Sequence, residues 1–504
     1  MSSHRLTRYI PLLFAAAHLV TPPLFAASVP ATAADAFVES IGVCTHWQYA
    51  DTVYGGRFPE LKARLIEAGI RHVRDGGANQ TFISNTRELA AAGIRTTIML
   101  DPGSGIVPDE KYWTPSSSPR YLLGNFAKNI LGTNAVAGVE VLNEIDLFFA
   151  RDGFVHDFDQ AGIFWMARNT DRTNKLVDDR NSPLWWGRYT DAITRDTYAA
   201  MKADPVTATI PVIGPSLGKT YGYDTRSPFP KNSLAPFVDW GCFHPYPGGN
   251  PFSDHAGYAG VDWYVGHGGQ PSAVLDEFPF AFDIYAPPFG TKPMCATETG
   301  YFTGTAKNAV SEAVQAKYVP RLFLEYFRKG IRRTFHYELV DLWPNPRDDQ
   351  ANRGLLRNDL TPKPAFTALK NLIALLQDRG SEFKPGALDY TLQINPPSGY
   401  NRTQYVRHML FQKRDGTFWL VLYHEIADSS SATADGKNIN GPTRELTHPE
   451  MPMVITFGPT VKLARAETFL PQNSTNIVAT LSQPRELKLN VPDQVLLLKL
   501  VLAN

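Results

Sequence analysis

The sequence predicts an α/β protein in which a (β/α)8 TIM barrel is followed by a C-terminal all-β sandwich. Eight short strand-like runs, mostly separated by amphipathic helical stretches, occupy the middle of the chain, as such a barrel requires. An open doubly wound sheet is the alternative, but its usual Gly-rich fingerprint is missing after the first strand. From about Phe383 short strands follow without a convincing helix, which favours a sandwich of about 120 residues.

The composition indicates a folded chain with balanced charge. The 504 residues include 49 basic and 49 acidic side chains, and 43% are hydrophobic, which excludes wholesale disorder. Nucleic-acid binding by phosphate neutralisation normally goes with a basic surplus, so we expect no nucleic-acid partner. Three cysteines without a C-x-x-C pair argue against a disulfide-stapled scaffold and against most zinc or iron–sulfur sites.

The N-terminal segment, residues 1–34, has the features of a signal peptide. Two arginines precede an apolar run over residues 10–27, and Ala31-Thr32-Ala33 fits an A-x-A cleavage site, which places cleavage near Ala33 or Ala34. A membrane anchor is the alternative, but the run is a little short of the ~20 residues that a span needs, and two prolines interrupt it. We therefore expect a secreted or periplasmic protein with no membrane contact after cleavage.

The predicted barrel covers residues 35–380. Its strands are predicted, in order, at residues 40–45, 70–74, 94–100, 136–142, 210–214, 238–243, 292–297 and 334–339. Apolar residues at helical spacing predict its main helices at residues 58–68, 81–92, 186–201, 309–329 and 365–377. Gly93, directly after the second of these helices, is a typical helix stop.

The predicted sandwich covers residues 381–504. Strands at 405–411 and 418–423 flank Arg414-Asp415-Gly416-Thr417, which is a strong hairpin signal. Further strands are predicted at residues 453–457, 463–469, 477–481, 486–491 and 495–501. Because these strands lack the paired carboxylates found at strand ends in the barrel, we expect this domain to support the barrel or contact substrate.

Polar side chains stand at the C-terminal ends of several barrel strands, where a (β/α)8 barrel carries its reacting groups. They are Arg74, Asn143, Glu144, His244, Tyr246 and Glu298. Glu144 and Glu298 end strands four and seven on the same rim, so they should face one another across the barrel mouth. Glycoside hydrolysis needs such a pair, with one proton donor and one nucleophile or base.

The run Gly138–Glu144, GVEVLNE, resembles the fourth-strand Asn-Glu motif of the glycoside hydrolase clan A barrels, particularly families 39 and 5. The resemblance covers roughly residues 38–378. It implies that Glu144 is the acid/base and that Glu298, within ATETG, is the nucleophile. It also matches Arg74 to the clan's second-strand arginine, and the substrate-binding candidates His244 and Tyr246 to its sixth-strand His-x-Tyr.

The same resemblance implies a retaining hydrolase that cleaves β-linked oligo- or polysaccharides by double displacement. Neither a metal nor an organic cofactor is needed, since two carboxylates suffice. We expect Arg74 to favour the ionised form of Glu298, and burial to keep Glu144 protonated. Asn143 is placed to donate a hydrogen bond to the sugar 2-hydroxyl, and Glu140 should be a structural carboxylate inside the barrel.

The aromatic residues of the sugar subsite depart from the clan pattern. Clan members usually carry a tryptophan at the end of strand eight, where this chain has Tyr337, with Trp343 several residues later. Either Trp343 swings back or Tyr337 takes over. Trp47, after strand one, is a further candidate sugar platform, and Glu338 is the strongest rival carboxylate.

Two other functions fit parts of the sequence. A sugar-binding protein built on an inactive barrel would lack Glu144 or Glu298, and both are present. A serine esterase is suggested by Gly214-Pro215-Ser216-Leu217-Gly218, which matches G-x-S-x-G after a strand. The required helix after the serine is missing, because residues 219–230 are rich in Gly, Asp, Ser and Pro. The sugar, the linkage, endo or exo action and the oligomeric state stay open.

Overall fold

The computed structural model describes most of the chain outside the predicted leader. The described residues are 27–100, 105–113, 120–145, 185–217, 229–246, 286–400, 403–431, 433, 439–482 and 485–503. The apolar run predicted as a leader lies outside them, apart from Ala27. Within these ranges no helix combines the length and apolar character needed to cross a membrane.

The predicted barrel is confirmed as a parallel sheet of eight strands. In chain order they are Ile41–Cys44, His72–Asp75, Arg95–Leu100, Val136–Val141, Val212–Ile213, Gly241–Phe243, Met294–Thr299 and Thr334–His336. The first strand pairs with both the second and the eighth. A parallel bridge between Ile213 and Trp240, with Gly214 N donating to Trp240 O at 2.7 Å, links strands five and six and closes the ring.

Helices cover the outside of the barrel. They are Ala34–Glu39, Phe58–Ala68, Gln80–Ala91, Leu123–Asn125, the π-helix Phe126–Leu131, Trp185–Lys202, Glu312–Arg328 and Pro364–Leu376. Their bounds follow from caps and apolar spacing. The Asn79 side chain accepts a hydrogen bond from Phe82 N and so begins the third helix. Phe58–Ala68 buries one side at helical spacing and ends at Gly69, whose φ of 71° suits a left-handed cap.

The C-terminal domain is confirmed as a pair of β-sheets whose strands are antiparallel, apart from the short edge strand Thr32–Ala33. One contains, in spatial order, Ala27–Pro30, Ala387–Ile394, Met451–Phe457 and Glu486–Val491. The other contains Thr32–Ala33, Val406–Gln412, Phe418–His424, Leu496–Leu502, Leu463–Phe469 and Ala479–Leu481. A small hairpin of Ser429–Ser430 and Arg444–Glu445 lies beside them. Alternating buried side chains, as in Met451–Phe457, give each sheet one face in the core.

The N-terminal boundary differs from the prediction. Ala27–Pro30 pairs antiparallel with Ala387–Ile394, and Thr32–Ala33 pairs parallel with Val406–Gln412. These residues therefore belong to the sandwich, although they precede the barrel in sequence. Cleavage near Ala33 or Ala34 would remove an edge strand from each sheet.

The barrel and the sandwich share a continuous apolar core. Phe37 of the first helix packs on Phe411 of the sandwich with ring centroids 5.7 Å apart. Arg321, fully buried on the helix Glu312–Arg328, donates hydrogen bonds to the carbonyl of His424 and to Asp428 Oδ2. The two domains are thus joined by both apolar packing and a buried charged contact.

Candidate active site

Arg74 lies at the centre of the site, at the end of barrel strand two. Its Nε and Nη2 atoms each lie 2.7 Å from an oxygen of Glu140, in a bidentate pair. Its Nη1 atom lies 2.5 Å from Glu298 Oε1, and Nη2 also donates to Asn143 Oδ1 at 2.6 Å. One guanidinium therefore connects strands two, four and seven and pairs with two buried carboxylates.

Glu140 is the structural carboxylate that its strand position predicts. It is fully buried, one layer below Glu144 on the same strand. Burial would raise the pKa of Glu140, but the charge and hydrogen bonds of Arg74 and His244 lower it to about 2. Glu140 thus stays ionised and holds the Arg74 side chain in one orientation.

Glu298 occupies the seventh strand and is almost fully buried. Arg74 contacts one of its oxygens, and the Tyr246 hydroxyl donates to the other, Oε2, at 2.8 Å. The backbone beyond it is fixed by Gly300, which has a φ of +148°, where a Cβ atom would lie 2.7 Å from the His336 ring. Only glycine fits there, so strands seven and eight can approach closely beside Glu298.

Glu144 pairs with His244, which differs from the expected protonation. His244 Nδ1 lies 2.9 Å from Glu144 Oε1, and its Nε2 lies 3.0 Å from Thr297 Oγ1. Burial would lower the pKa of His244, but the surrounding carboxylates, Glu298 first, raise it to about 9. Burial would raise the pKa of Glu144, but the hydrogen bond and charge of His244 lower it. His244 thus favours the carboxylate form of Glu144 in the free enzyme, against the expectation that burial keeps Glu144 protonated.

The backbone that presents Glu144 is held in an uncommon conformation. Leu142 and Glu144 have φ values of 53° and 43°, in the left-handed region that costs L-residues free energy. Ser216 stabilises this turn: its carbonyl accepts from Glu144 N at 2.8 Å, and its hydroxyl donates to the Leu142 carbonyl. Ser216 is fully buried and its hydroxyl is engaged, so the G-x-S-x-G match is not a serine nucleophile.

Glu144 and Glu298 face one another closely. One carboxylate oxygen of each, together with one His244 nitrogen, all lie within 4.8 Å of one another. Such a group could hold a metal ion, as could Glu140, Cys242 and His244 below it. The same side chains already engage Arg74, Tyr246 and Thr297, so their charges and hydrogen bonds are satisfied by protein groups. The expectation that no cofactor is needed stays a prediction.

Tyr337 stands at the end of strand eight, among the site's aromatic rings. Its ring lies 5.3 Å from that of His46 and 6.4 Å from that of Tyr246, and a cis peptide joins it to Glu338. Trp343 does not swing back: it is 38% exposed, and its indole donates to Asp348. Of the two possibilities weighed from sequence, Tyr337 takes the strand-end position.

Trp47 is wrong as a sugar platform. Its side chain is only 2% exposed, and the rings of Tyr54 and Phe58 pack on it at 5.4 and 5.0 Å. The preceding residue, His46, lies at the site instead and stacks on Tyr49 with centroids 4.4 Å apart. Burial lowers the pKa of His46 to about 4, so it presents a neutral imidazole.

Glu338 and the thiol of Cys242 lie beside the site, but neither has the partners that a nucleophile or a proton donor requires. Glu338 is fully buried, accepts from the Tyr54 hydroxyl, and has a pKa raised well above its ordinary value by burial. It is therefore a neutral carboxylic acid. Cys242 is buried against Thr297 Oγ1, and burial raises its pKa well above the ordinary value, so it is no thiolate nucleophile.

Three site residues were missed from sequence, namely His46, Thr297 and Arg353. Arg353 lies over the rings of Tyr246 and Phe302 at 5.0 and 5.1 Å and so supports the tyrosine that contacts Glu298. Thr297 has a usable signal, because it precedes Glu298 on the same strand. No sequence signal marks Arg353, because it lies in the long segment after strand eight.

Solved structures of other proteins share the fold of this chain. No protein-family profile matches the chain, and no curated protein matches its sequence. A family 39 glycoside hydrolase from the gut symbiont Bacteroides cellulosilyticus WH2 aligns with a TM-score of 0.53 and 16% identity, over 94% of this chain and 83% of that chain. A glucosidase from Croceicoccus marinus aligns with a TM-score of 0.49 and 10% identity, over 88% and 92%. The expected resemblance is confirmed at the level of architecture: this chain has the fold of a family 39 glycoside hydrolase.

Proposed function

We propose that this protein is a retaining glycoside hydrolase that cleaves β-linked oligo- or polysaccharides, with Glu298 as nucleophile and Glu144 as acid/base. The observation that carries the proposal is the approach of the two carboxylates, with oxygens within 4.8 Å. Retaining enzymes place their carboxyl groups about 5–5.5 Å apart, whereas inverting enzymes need about 6.5–9.5 Å to admit a water. Arg74 and Tyr246 donate hydrogen bonds to Glu298, whereas Glu144 is paired with His244. This difference in partners supports the different roles of the two glutamates.

The first step forms a covalent glycosyl-enzyme. A Glu298 oxygen attacks the anomeric carbon while the glycosidic bond breaks, and the leaving oxygen takes a proton from Glu144. The Glu144–His244 pair holds that proton in the free enzyme. Substrate that displaces water from Glu144 disfavours its carboxylate form and moves the proton towards it.

The second step returns the enzyme to its starting state. Glu144, now a carboxylate, takes a proton from water, and the water oxygen attacks the anomeric carbon as the bond to Glu298 breaks. Two inversions at one carbon give net retention. Asn143, fixed by its contact with Arg74, is placed to bind the sugar 2-hydroxyl, where contacts strengthen in the transition state.

The stereochemical outcome tests this mechanism directly. We expect hydrolysis of a 4-nitrophenyl β-glycoside to give the β-anomer first, because both displacements occur at the anomeric carbon. A panel of glucoside, xyloside, galactoside and glucuronide identifies the active sugar, and proton NMR follows the anomeric signal. An α-anomer as first product would refute double displacement, and release of phenol only from aryl esters would favour an esterase.

Azide rescue assigns the two glutamates. In Glu298→Gly the nucleophile is lost and a space remains, so azide can attack the substrate and give a glycosyl azide of inverted configuration. In Glu144→Ala the proton donor is lost, which typically costs ~10²–10⁴ in rate for poor leaving groups. Dinitrophenyl glycosides should be affected little, and azide should give a retained product.

The neighbouring buried carboxylate provides the control for azide rescue. Glu338→Gln should be insensitive to azide, because Glu338 is neutral and lies behind Tyr54. Inverted azide product from Glu144→Ala would show that the two roles are exchanged. A folded Glu298→Gly variant that azide does not rescue would contradict the assignment of the nucleophile.

We propose further that the chain is exported to the periplasm or the medium. The support is the basic start, the apolar run over residues 10–27 and the small residues that follow. Because Ala27–Pro30 pairs with the sandwich, we place the cleavage before Ala27. The site near Ala33 that the A-x-A pattern suggests would cut into the folded domain.

A further inference from the structure

A cavity lies between the segments that follow barrel strands seven and eight. It has a volume of about 550 Å³ and is lined by Trp343 and by polar side chains, among them Thr303, Asn345, Arg357 and Asn358. Trp343 is among the few large apolar side chains of the described residues that are substantially exposed. An aromatic ring beside hydroxyl, amide and charged groups is the lining that small polar ligands with apolar faces require.

Trp343 is hydrogen-bonded within a loop that lines this cavity. Its indole Nε1 donates to Asp348 Oδ2 at 3.1 Å, and the Asn352 side chain donates to the carbonyls of Asn345 and Asp348 at 2.6 and 2.7 Å. The segment is therefore a hydrogen-bonded loop that presents the tryptophan ring before any ligand arrives. A rigid aromatic group loses little conformational entropy on binding.

The same loop is fixed to the segment that carries the nucleophile. Thr305 N donates to the Pro346 carbonyl at 2.6 Å, and Thr303 N donates to the Asn352 carbonyl at 2.9 Å. Gly304 has a φ of +98°, and a Cβ atom there would lie 2.5 Å from the Pro346 oxygen. A close backbone contact therefore joins the two segments, and glycine is required for it.

Charged groups complete the cavity. Buried Asp341, at its lining, is paired with Lys363 Nζ at 2.8 Å and accepts from Gly354 N. Arg357 and Glu312 form a two-contact pair at 2.5 and 2.9 Å across another part of the lining. Both pairs are made between protein groups, so the charged side chains at the cavity compensate one another without a bound ion.

The position of the cavity relates it to the proposed reaction. Thr303 lies five residues after Glu298, so their Cα atoms are at most about 18 Å apart. Trp343 follows Tyr337 by six residues. Glu144, which protonates the leaving group, is on strand four, opposite strand eight in a ring of eight. The segments that line the cavity therefore follow strands seven and eight, and strand eight lies across the ring from the strand that precedes Glu144.

We propose that this cavity is a distal sugar subsite on the glycone side, with the face of Trp343 as its platform. A substrate chain that reacts at Glu298 continues past Tyr337 and places a further sugar ring on Trp343. The enzyme then releases a product longer than one sugar from the non-reducing side. This inference rests on the proposed glycosidase function and specifies how long a glycone the site takes.

Substrates of two lengths test the subsite. Wild type, Trp343→Ala and Trp343→Phe are compared on the 4-nitrophenyl β-glycoside of the active sugar and on that of its β-linked disaccharide. We expect wild type to release an intact disaccharide from the longer substrate. Trp343→Ala should lower kcat/KM for the disaccharide glycoside about tenfold and leave the monosaccharide glycoside unchanged, while Trp343→Phe should keep most of the activity.

A control variant and contrary results make the kinetic test decisive. Ile477→Ala removes another exposed apolar side chain, far along the chain in the sandwich, and should change neither value. Equal losses on both substrates in Trp343→Ala, with Ile477→Ala normal, would overturn the subsite. Release of single sugars only, from the non-reducing end of the longer substrate, would overturn it as well.

Binding without turnover separates this inference from the proposed function. Calorimetry of Glu298→Gln with cello-, xylo-, manno- and galactotetraose should show binding to at least one of the four, weakened about tenfold by adding Trp343→Ala. This result would support the subsite even if no aryl glycoside were cleaved and the proposed function failed. Binding that Trp343→Ala leaves unchanged, or no binding to any of the four, would overturn it.

Discussion

At the scale of single residues, Arg74 controls the charge of the site. Two carboxylates and one guanidinium are buried together, and Glu298 accepts a further hydrogen bond from Tyr246. Breaking a buried pair by removing one partner costs about 3–5 kcal/mol, because the other charge loses its compensation. Arg74 therefore stabilises the fold and positions Glu298, and changes to it affect both properties at once.

Ser216→Ala tests whether the strained turn at Glu144 is set from strand five. We expect kcat to fall about tenfold or more, because small displacements of a catalytic group cost up to ~10² in rate. The physical reason is the loss of the hydroxyl that holds the Leu142 carbonyl while Leu142 and Glu144 remain at positive φ. Steady-state kinetics on the active aryl glycoside measure the effect, with KM expected to change less than kcat.

Ser40→Ala is the matched control for this variant. The Ser40 hydroxyl is also buried and donates to a backbone carbonyl, that of Phe37, at 2.7 Å. Both variants should lose about 1 kcal/mol of unfolding free energy, but only Ser216→Ala should lose activity. Equal kcat values for Ser216→Ala and Ser40→Ala would mean that the turn at Glu144 keeps its conformation without the Ser216 hydroxyl.

The site residues at strand ends were predictable from sequence, whereas His46 and Arg353, which lie on the segments beyond strands one and eight, were not. Arg74, Glu144, His244 and Glu298 stand at strand ends, and strand ends of a barrel meet on one rim. Which of His46 and Trp47 faces the site depends on the path of the chain just beyond strand one. Asp75 fixes that path by accepting from Trp47 N at 3.0 Å, a contact between strands that no local pattern reveals.

At the scale of elements, the helix Glu312–Arg328 joins barrel and sandwich through charge. Arg321 Nη2 lies 2.8 Å from Asp428 Oδ2, and Tyr318 accepts from Asp428 N. Lys317 on the same helix pairs with Asp493 at 2.7 Å. Burial, the largest influence, together with the charge of Asp493, outweighs Arg321 and raises the pKa of Asp428 to about 7.

This contact predicts a pH-dependent stability. The pKa of Asp428 is about 7 when folded and near its ordinary value of 3.8 when unfolded, so the folded state binds the proton more tightly. The contribution of Asp428 to the free energy of unfolding is therefore complete below about pH 4. It is lost as the pH rises through 7, by up to about 1.4 kcal/mol per pH unit. Asp428→Asn should remove this part of the slope, as measured by denaturant unfolding between pH 4.5 and 8.

The exposed hairpin offers a control for that measurement. Asp415, in the turn between two sandwich strands, has its pKa lowered by hydrogen bonds from Thr417, against the effect of burial. Its contribution changes only at low pH and with the opposite sign. Asp415→Asn should leave the slope between pH 5.5 and 8 intact. If Asp428→Asn leaves it intact too, the titrating group lies elsewhere, with Asp75 the next candidate.

Most elements were predictable because their patterns are local. The helix Phe58–Ala68 and the strands Leu463–Phe469 and Glu486–Val491 have the predicted bounds. The strand Ala387–Ile394 was missed because several of its side chains are only half-buried and its alternation is weak. Ala27–Pro30 was assigned to the leader because nothing in its own sequence shows that its pairing partner comes some 360 residues later.

At the scale of the whole molecule, the start of the folded chain is fixed by the sandwich. We expect the mature protein isolated from an exporting host to begin at or before Ala27, as N-terminal sequencing will show. Val29 and Ala31 pack against the apolar core of the sandwich, so their loss would expose part of that core. A mature chain that begins after Ala33 would contradict this.

Two truncations give the matched comparison. A chain that begins at Ala27 should retain its melting temperature and activity, whereas one that begins at Ala34 should melt several degrees lower. The reason is the loss of an edge strand from both sheets at once. Equal melting temperatures would mean that these strands add nothing to the sandwich.

The sandwich strands Ala27–Pro30 and Ala387–Ile394 lie on either side of the barrel in sequence and pair directly in space. The barrel is thus an insertion within the sandwich, and the ribosome makes the two edge strands before the barrel and their partners after it. During synthesis the barrel can fold while the six residues of these two edge strands are still unpaired. Pairing of Ala27–Pro30 with Ala387–Ile394 and of Thr32–Ala33 with Val406–Gln412 then closes the edges of the sandwich, so these contacts can form only after the barrel segment has been made.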